Sequence, residues 1–192
     1  RIQPRNGEPA YAVFARLAHR HGAEQLRSFA AEIDFSWSGT VASIDPVAVA
    51  NLAGLRAGRL AWDSPRIDPA TRVVELAGQK LLLNDWTLRP RRYCASCFVA
   101  DRLEATSAGL PADFGPWHRG CWDIRSYHVC HHHHVALNGV CPACHAPLGW
   151  VHSRVDKCPC GADLAAFKPV DGDAGVALYI ASRLGLAEGP RY

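Results

Sequence analysis

The residues best suited to chemistry lie between Cys94 and Cys160. This stretch holds all eight cysteines of the chain and eight of its ten histidines. One or two residues between two ligands let a single backbone turn aim both side chains at one metal ion, and two such turns complete a tetrahedron. The chain offers four such spacings, which together predict two structural Zn²⁺ sites: Cys94-Ala-Ser-Cys97, Cys130-His-His-His133, Cys141-Pro-Ala-Cys144 and Cys158-Pro-Cys160.

Chain order suggests how the ligands divide between the two sites. Two alternatives stay open. The pairs could interleave, so that the first pair meets the third, and His134 could be a ligand in place of His133. Neither set leaves a position for a catalytic water, so both sites are interpreted as scaffolding. Pairing of neighbours assigns Cys94, Cys97, Cys130 and His133 to site one, and Cys141, Cys144, Cys158 and Cys160 to site two.

Other uses of these cysteines fit the sequence less well. Disulfide bonds suit secreted chains, but no segment resembles a signal peptide, and C-x-x-C pairs beside histidine favour metal. A redox C-x-x-C would open a helix after a strand in a βαβ unit, a pattern that is missing. A zinc hydrolase or deaminase would need H-E-x-x-H, or H-x-E before P-C-x-x-C, and neither motif is present. The chain is therefore predicted not to be an enzyme.

Length and charge set wider limits. A chain of 192 residues can hold one domain or two small ones, and no apolar run approaches the length of a membrane span. The formal net charge is +3. Seven thiolates would subtract seven charges and two Zn²⁺ ions would add four, which leaves the metallated chain near neutral. Any attraction to DNA must then come from local basic patches.

The elements before the metal sites follow from periodicity and caps. After Pro9, a helix is expected with Tyr11 and Phe14 on its apolar face and Arg16 away from it, and a second helix over residues 23–33. The aromatic residues of the loop that follows, Phe35 and Trp37, are expected to fill the core.

Asp45-Pro46 is a clear helix start, a cap residue followed by proline at the first helical position. This helix is expected to stop near Gly54, and a short helix through Arg56 and Arg59 follows. Helix, glycine turn and helix with exposed arginines fit a helix-turn-helix that reads DNA. The alternative is an ordinary helical hairpin.

A bridge connects the helices to the first zinc knuckle. Residues 72–77 and 79–83 are expected to form a hairpin, with a short amphipathic helix as the alternative. Arg89-Pro-Arg-Arg92 is the densest basic cluster of the chain, and we interpret it as a phosphate contact, against the alternative of a solvated linker. The candidate DNA contacts are Arg56, Arg59, Arg89, Arg91 and Arg92.

Together these elements predict a small α+β protein in four parts. A helical, helix-turn-helix-like domain over residues 1–70 is followed by a bridge over 71–91. A tandem zinc-finger or zinc-ribbon module over 92–167 comes next, and a C-terminal segment over 168–192 carries a helix from Ala174 to Leu184. Because so small a module has too little core of its own, zinc is expected to fold it.

The central block resembles a known family in order and spacing. Arg92-Tyr-Cys-Ala-Ser-Cys-Phe-Val-Ala-Asp101 is similar to the "RYCPxCLxxD" opening of TniQ-type transposition proteins, and Val129-Cys-His-His-His133 is similar to their "VCPxH". Three further stretches match later parts of the pattern: Trp117-His-Arg119 with Trp122, Cys141-Pro-Ala-Cys144 with Leu148, and Cys158-Pro-Cys160 with Leu164.

Departures from the family pattern leave every proposed ligand in place. The glycines that the family has after the histidine and after the second C-x-x-C are His134 and His145 here. Cys121 has no counterpart and is expected to be a small buried residue. For Arg119 two alternatives stay open, namely packing around the zinc and an ion pair with Asp101 or Asp123.

The resemblance implies a role in choosing the target site of DNA transposition. Proteins of this kind couple the target to an AAA+ regulator and a transposase, and some bind an RNA-guided effector instead of DNA. The chain would then be a short member or a fragment that works in the bacterial cytoplasm, with DNA as a partner and a homodimer as one possible state. The alternative is a pure protein-protein adaptor without DNA contact, which the near-zero charge after metallation favours.

Overall fold

A computed structural model describes residues 2–38 and 40–188 and contains helices and a small sheet. This mixture confirms the α+β prediction. None of the helices in the described residues is long and apolar enough to cross a membrane. The elements in chain order are α1 (Ala10–Arg20), α2 (Leu26–Glu32), α3 (Pro46–Ala53), α4 (Ala57–Trp62), β1 (Arg66–Asp68), β2 (Val73–Leu76), β3 (Gln79–Leu82), α5 (Ala95–Ser107) and α6 (Gly175–Arg183).

Helix α1 lies at the centre of the N-terminal half, because every residue from Ala10 to Ala18 is buried. Phe14 packs against the rings of Phe29 and Phe35 with centroid distances of 5.3 and 4.7 Å, so the aromatic loop residue contacts the core as expected. The expectation that Arg16 points away from the core was wrong. Its Nη1 donates to Glu8 Oε2 at 2.6 Å, and this ion pair is buried.

Helices α3 and α4 form the predicted pair around a glycine turn. Asp45 accepts a hydrogen bond from the backbone N–H of Val47 at 3.0 Å, which caps α3, and Gly54 ends the helix with φ of 64°. Helix α4 has six residues and buries Leu60. Contact of this unit with DNA stays a prediction.

The bridge forms the predicted hairpin, and the alternative of a helix was wrong. Ala77 and Gly78 have φ of 48° and 73°, the left-handed values of a two-residue turn between antiparallel strands β2 and β3. An unpredicted strand, β1, adds to the outer edge of β2. A Cβ on Gly78 would lie 2.8 Å from the ring of Trp62, so this glycine lets the turn pack against α4.

Helix α5 is the main element that the sequence analysis missed. It starts directly after Cys94 and buries Phe98, Asp101 and Ala105 on one face. Its buried face includes a carboxylate, which weakens the apolar period that would have indicated a helix. The expected C-terminal helix is confirmed as α6, over Gly175–Arg183.

One hydrophobic core continues through all of these elements. It includes Phe14 of α1, Leu60 of α4, Trp122 and Leu164 of the cysteine-rich region, and Leu184 after α6. A bridge between Gln25 and His152 also joins the α2 region to the cysteine-rich region. The division of the chain into four parts stays a prediction.

Candidate metal centres

The first cluster lies where the start of α5 meets a tight turn of the later chain. Cys94 precedes α5 and Cys97 lies in its first turn, whereas Cys130 and His133 belong to a turn closed by the hydrogen bond from His134 N to Cys130 O. The Nδ1 atom of His133 lies 3.7, 3.3 and 3.6 Å from the sulfurs of Cys94, Cys97 and Cys130. The first and second spacings therefore meet.

The second cluster is formed by the third and fourth spacings. The sulfurs of Cys141 and Cys160 are 3.7 Å apart, as are those of Cys144 and Cys158. In each cluster, all four ligand atoms lie within 4.8 Å of one another. The structure thus groups neighbouring pairs and does not interleave the first pair with the third. His134 is exposed and lies outside the first cluster.

The geometry of both clusters suits a tetrahedral ion. With Zn–S bonds of about 2.3 Å, the sulfurs of a tetrahedral zinc site lie about 3.8 Å apart. The observed sulfur–sulfur distances of 3.5 to 3.7 Å are close to this value. One Cys₃His set and one Cys₄ set are also the donor chemistry of structural zinc. Both clusters could therefore hold a metal ion.

Crowding of thiols in the first cluster shifts their protonation in opposite directions. Hydrogen bonding with Cys130 raises the pKa of Cys94 to about 11 and also raises that of Cys97. Hydrogen bonds from these two thiols lower the pKa of Cys130. A bound cation would displace the shared protons, so metal affinity should increase with pH.

The turns that carry the ligands use left-handed backbone. His134 and His145 follow the second ligand of their turns and have φ of 55° and 57°. Gly161 follows Cys160 with φ of 89°. These are the two histidines that stand where the resembling family has glycine, so this chain adopts the same turn with residues that find it less favourable.

A buried ion pair lies near the first cluster, close enough for the Arg119 charge to act on the Cys97 thiol. Arg119 donates from Nη2 to Asp101 Oδ1 at 2.8 Å and from Nη1 to Asp101 Oδ2 at 3.1 Å. Trp117 Nε1 donates to the same carboxylate at 3.1 Å. The Arg119 guanidinium lies 4.1 and 4.9 Å from the rings of Trp117 and Trp122. Of the two expected partners, Asp101 is the one that Arg119 uses.

A second ion-pair group ties α5 to the region of the second cluster. Arg102 donates to Asp156 and, at 2.8 Å from Nη1 to Oδ2, to Asp163. Arg154 also donates to Asp156. Hydrogen bonding with Arg102 lowers the pKa of Asp163. Helix α5 thus starts at one cluster and contacts the segment that carries the other.

A buried polar group beside α1 was not found from the sequence. The Asp123 carboxylate accepts hydrogen bonds from Tyr11 Oη and from His118 Nε2, the latter at 3.0 Å, and all three side chains are buried. Burial raises the pKa of Tyr11 and lowers that of His118. His118 and Asp123 are five positions apart, but Tyr11 lies 112 positions from Asp123, so no spacing along the chain indicated the complete group.

Two of the five candidate DNA contacts, Arg91 and Arg92, already donate hydrogen bonds to backbone oxygens of the protein. Arg91 is buried and donates to the carbonyl oxygens of Gly149 and Val155, which leaves no accessible guanidinium for phosphate. Burial also lowers its pKa to about 10. Arg92 is half-buried and donates to the backbone oxygens of three residues, Ile124, Arg125 and Tyr127.

The other three arginines reach the surface. Arg59 is paired with Asp63 at 2.7 Å but keeps 57% of its side chain exposed. Arg56 and Arg89 are exposed, and neither guanidinium has a hydrogen-bonding partner in residues 2–38 and 40–188. The five arginines therefore differ in exposure and in their hydrogen-bond partners, and they do not form one basic surface of equally accessible side chains.

Comparison with models of protein families gives one match. The TniQ family model matches residues 1–137. The match includes all four residues of the first cluster and ends before Cys141, the first residue of the second. No curated protein matches the chain.

Proposed function

The chain belongs to the TniQ family, and on that premise we propose that it is a non-catalytic, zinc-binding protein that selects the target site in DNA transposition. In this role it binds DNA or an RNA-guided effector and links that target to an AAA+ regulator and a transposase. The family match over residues 1–137 is the observation that carries the proposal.

Zinc is the proposed occupant of both clusters, and its role is structural. Four protein ligands leave no coordination position for a reacting water. In site one, Zn²⁺ would join α5 to the turn at Cys130, and in site two it would join the turn at Cys141 to the turn at Cys158. The spacing of the ligands and their mutual distances support this assignment.

The five proposed DNA contacts can be ranked by how accessible their side chains are to phosphate. Arg56 and Arg89 are the leading candidates because their side chains are exposed and their guanidinium groups have no hydrogen-bond partner within residues 2–38 and 40–188. Arg59 and Arg92 are secondary candidates because each already has hydrogen-bond acceptors. Arg91 is withdrawn because its guanidinium is buried. The pair α3–α4 stays the proposed helix-turn-helix, with Arg56 at the start of its second helix.

A pure adaptor role is the second candidate function. Two observations favour it, namely the near-zero charge of a metallated chain and the hydrogen bonds that Arg59, Arg91 and Arg92 already make to other residues of the protein. In that case the regulator or effector binds the protein surface and DNA does not.

A salt series with random duplex DNA tests the choice. The zinc-loaded protein is titrated by fluorescence anisotropy at several salt concentrations, and zinc is quantified on the same sample. We expect two zinc ions per chain and an affinity that falls steeply with salt. The double replacement of Arg56 and Arg89 by alanine should reduce the slope by about two units. Arg66→Ala is the matched control, since Arg66 is exposed but paired with Glu75.

Each outcome selects between the candidate functions. Two zinc ions with no duplex binding would favour the adaptor. Binding with an unchanged slope in the double variant would remove Arg56 and Arg89 as phosphate contacts. Fewer than two zinc ions would contradict the ligand sets.

A further inference from the structure

An open cleft with aromatic walls lies beside the basic segment that precedes the first cluster. Its volume is about 470 Å³. Three tryptophans from distant parts of the chain line it, Trp37 from the loop after α2, Trp86 from the segment after β3, and Trp150 from the segment between the third and fourth ligand spacings. Clefts of this size with aromatic walls and few polar groups are typical ligand sites.

Two of these tryptophans are almost fully enclosed, and their indole N–H groups do not reach the surface of the cleft. The side chains of Trp86 and Trp150 are 5% and 7% exposed, and the Nε1 atom of each has no hydrogen-bond partner in the described residues. The Nε1 of Trp37 donates to Thr40 O at 2.7 Å, which holds this half-buried ring at the rim.

The charge at the rim is positive. Arg89 lines the cleft, and its guanidinium makes no ion pair within residues 2–38 and 40–188. Its backbone is held on both sides, because Thr87 Oγ1 donates to Arg89 O at 2.6 Å and Pro90 packs against Gly139, where a Cβ would lie 2.7 Å from the proline ring. None of the residues that line the cleft carries a carboxylate.

We propose that this cleft receives an unpaired nucleotide of single-stranded nucleic acid, with the base against the tryptophans and a phosphate at Arg89. The proposal deepens the proposed function, on which it rests, by naming an unpaired strand as one form of the nucleic-acid partner. Stacking on aromatic rings and contact of phosphate with arginine are the two interactions by which proteins hold single strands.

A base fits these walls better than a peptide side chain. Every base carries a flat aromatic face that can cover the half-buried ring of Trp37. Each nucleotide also carries a phosphate, and its negative charge can pair with the Arg89 guanidinium. An acidic side chain would meet the arginine but would leave the aromatic walls uncovered.

The test uses the zinc-loaded full chain and two labelled probes, a short oligothymidylate and a short oligouridylate, so that DNA and RNA strands are distinguished. Trp37→Ala removes the half-buried wall, and Thr40→Glu adds a negative charge at an exposed position of the lining. Matched controls are Trp62→Ala, an exposed tryptophan outside the cleft, and Ser28→Glu, an exposed serine on α2.

We expect at least one of the strands to bind, and both cleft variants to lose about tenfold or more in affinity for it, while both controls stay close to the unaltered protein. Zinc content and duplex binding are measured on the same variants. The proposal is overturned if neither strand binds, or if the cleft variants bind as tightly as the controls. Retained duplex binding in those cases would leave the proposed function standing, and its loss would count against the proposed function instead.

Discussion

His133 and His134 have the same side chain and adjacent positions, yet only one of them joins the first cluster. His133 directs Nδ1 towards three sulfurs, whereas His134 occupies the left-handed position of the turn and points to solvent. The backbone conformation of the turn therefore decides which imidazole is available to a metal.

Replacement of these two histidines should separate their roles. His133→Ala removes one of four ligands, and we expect the zinc content to fall from two ions to one per chain, with a lower midpoint of thermal unfolding. His134→Ala should keep both ions. Zinc quantified after purification checks the pair, and equal losses in both variants would contradict the assignment.

His118 provides a pH-dependent contribution to stability. Burial lowers its pKa, so the folded state disfavours the protonated imidazole more than the unfolded state does. Stability should then be unaffected above the unfolded pKa of about 6.5 and fall below it, by up to about 1.4 kcal/mol per pH unit until the folded pKa is reached.

His118→Gln should remove this part of the acid sensitivity. The measurement is denaturant unfolding of both proteins between about pH 7 and pH 5, with zinc content verified at each pH because acid also protonates metal ligands. The difference in free energy of unfolding between the two proteins should change with pH. A constant difference would show that His118 does not titrate in this way.

At the scale of elements, two of the turns that carry the cluster ligands have residues that disfavour their left-handed backbone. His145 is exposed with φ of 57°, so His145→Gly should stabilise the protein by about 0.5–1 kcal/mol, because glycine adopts this conformation freely. His128 is exposed and has no positive φ, so His128→Gly should destabilise the protein slightly. Thermal unfolding of the zinc-loaded variants compares them, and a destabilised His145→Gly protein would contradict this reasoning.

Helix α5 carries one ion pair on its buried face and another at its surface. Asp101→Ala leaves the Arg119 charge buried without its partner and should destabilise the protein by about 3–5 kcal/mol. Glu104→Ala removes the exposed partner of Arg5 and should cost less than about 1 kcal/mol. Denaturant unfolding of both variants tests the contrast, and similar losses would mean that Asp101 is not essential to the buried packing.

At the scale of the whole molecule, the two clusters differ in access to solvent. Cys94, Cys97 and Cys130 are fully buried, whereas Cys144 and Cys160 of the second cluster are exposed. A chelator should therefore remove zinc in two phases, first from site two and then, with broader unfolding, from site one.

Release of zinc to a coloured chelator, followed over time, measures the two phases. Cys144→Ser should abolish the faster phase, because it removes one of the four ligands of site two. A single phase that releases both ions, or loss of the slower phase in Cys144→Ser, would contradict this order.

The sequence by itself determined the features that depend on neighbours along the chain. Asp45-Pro46 indicated the start of α3, Ala77-Gly78 indicated the hairpin turn, and the four ligand spacings indicated the turns at the clusters. In each case, a few consecutive residues define the backbone geometry, so local stereochemistry is enough to recognise it.

Only the tertiary structure decided which polar residues are enclosed and which remain free. Arg91 and Arg89 belong to one basic stretch, but contacts with residues 149 and 155 bury the first, while the second stays exposed at the aromatic cleft. The Asp123 group likewise joins residues more than a hundred positions apart. Such burial depends on how distant segments pack around a common core, and no local period of the sequence records that packing.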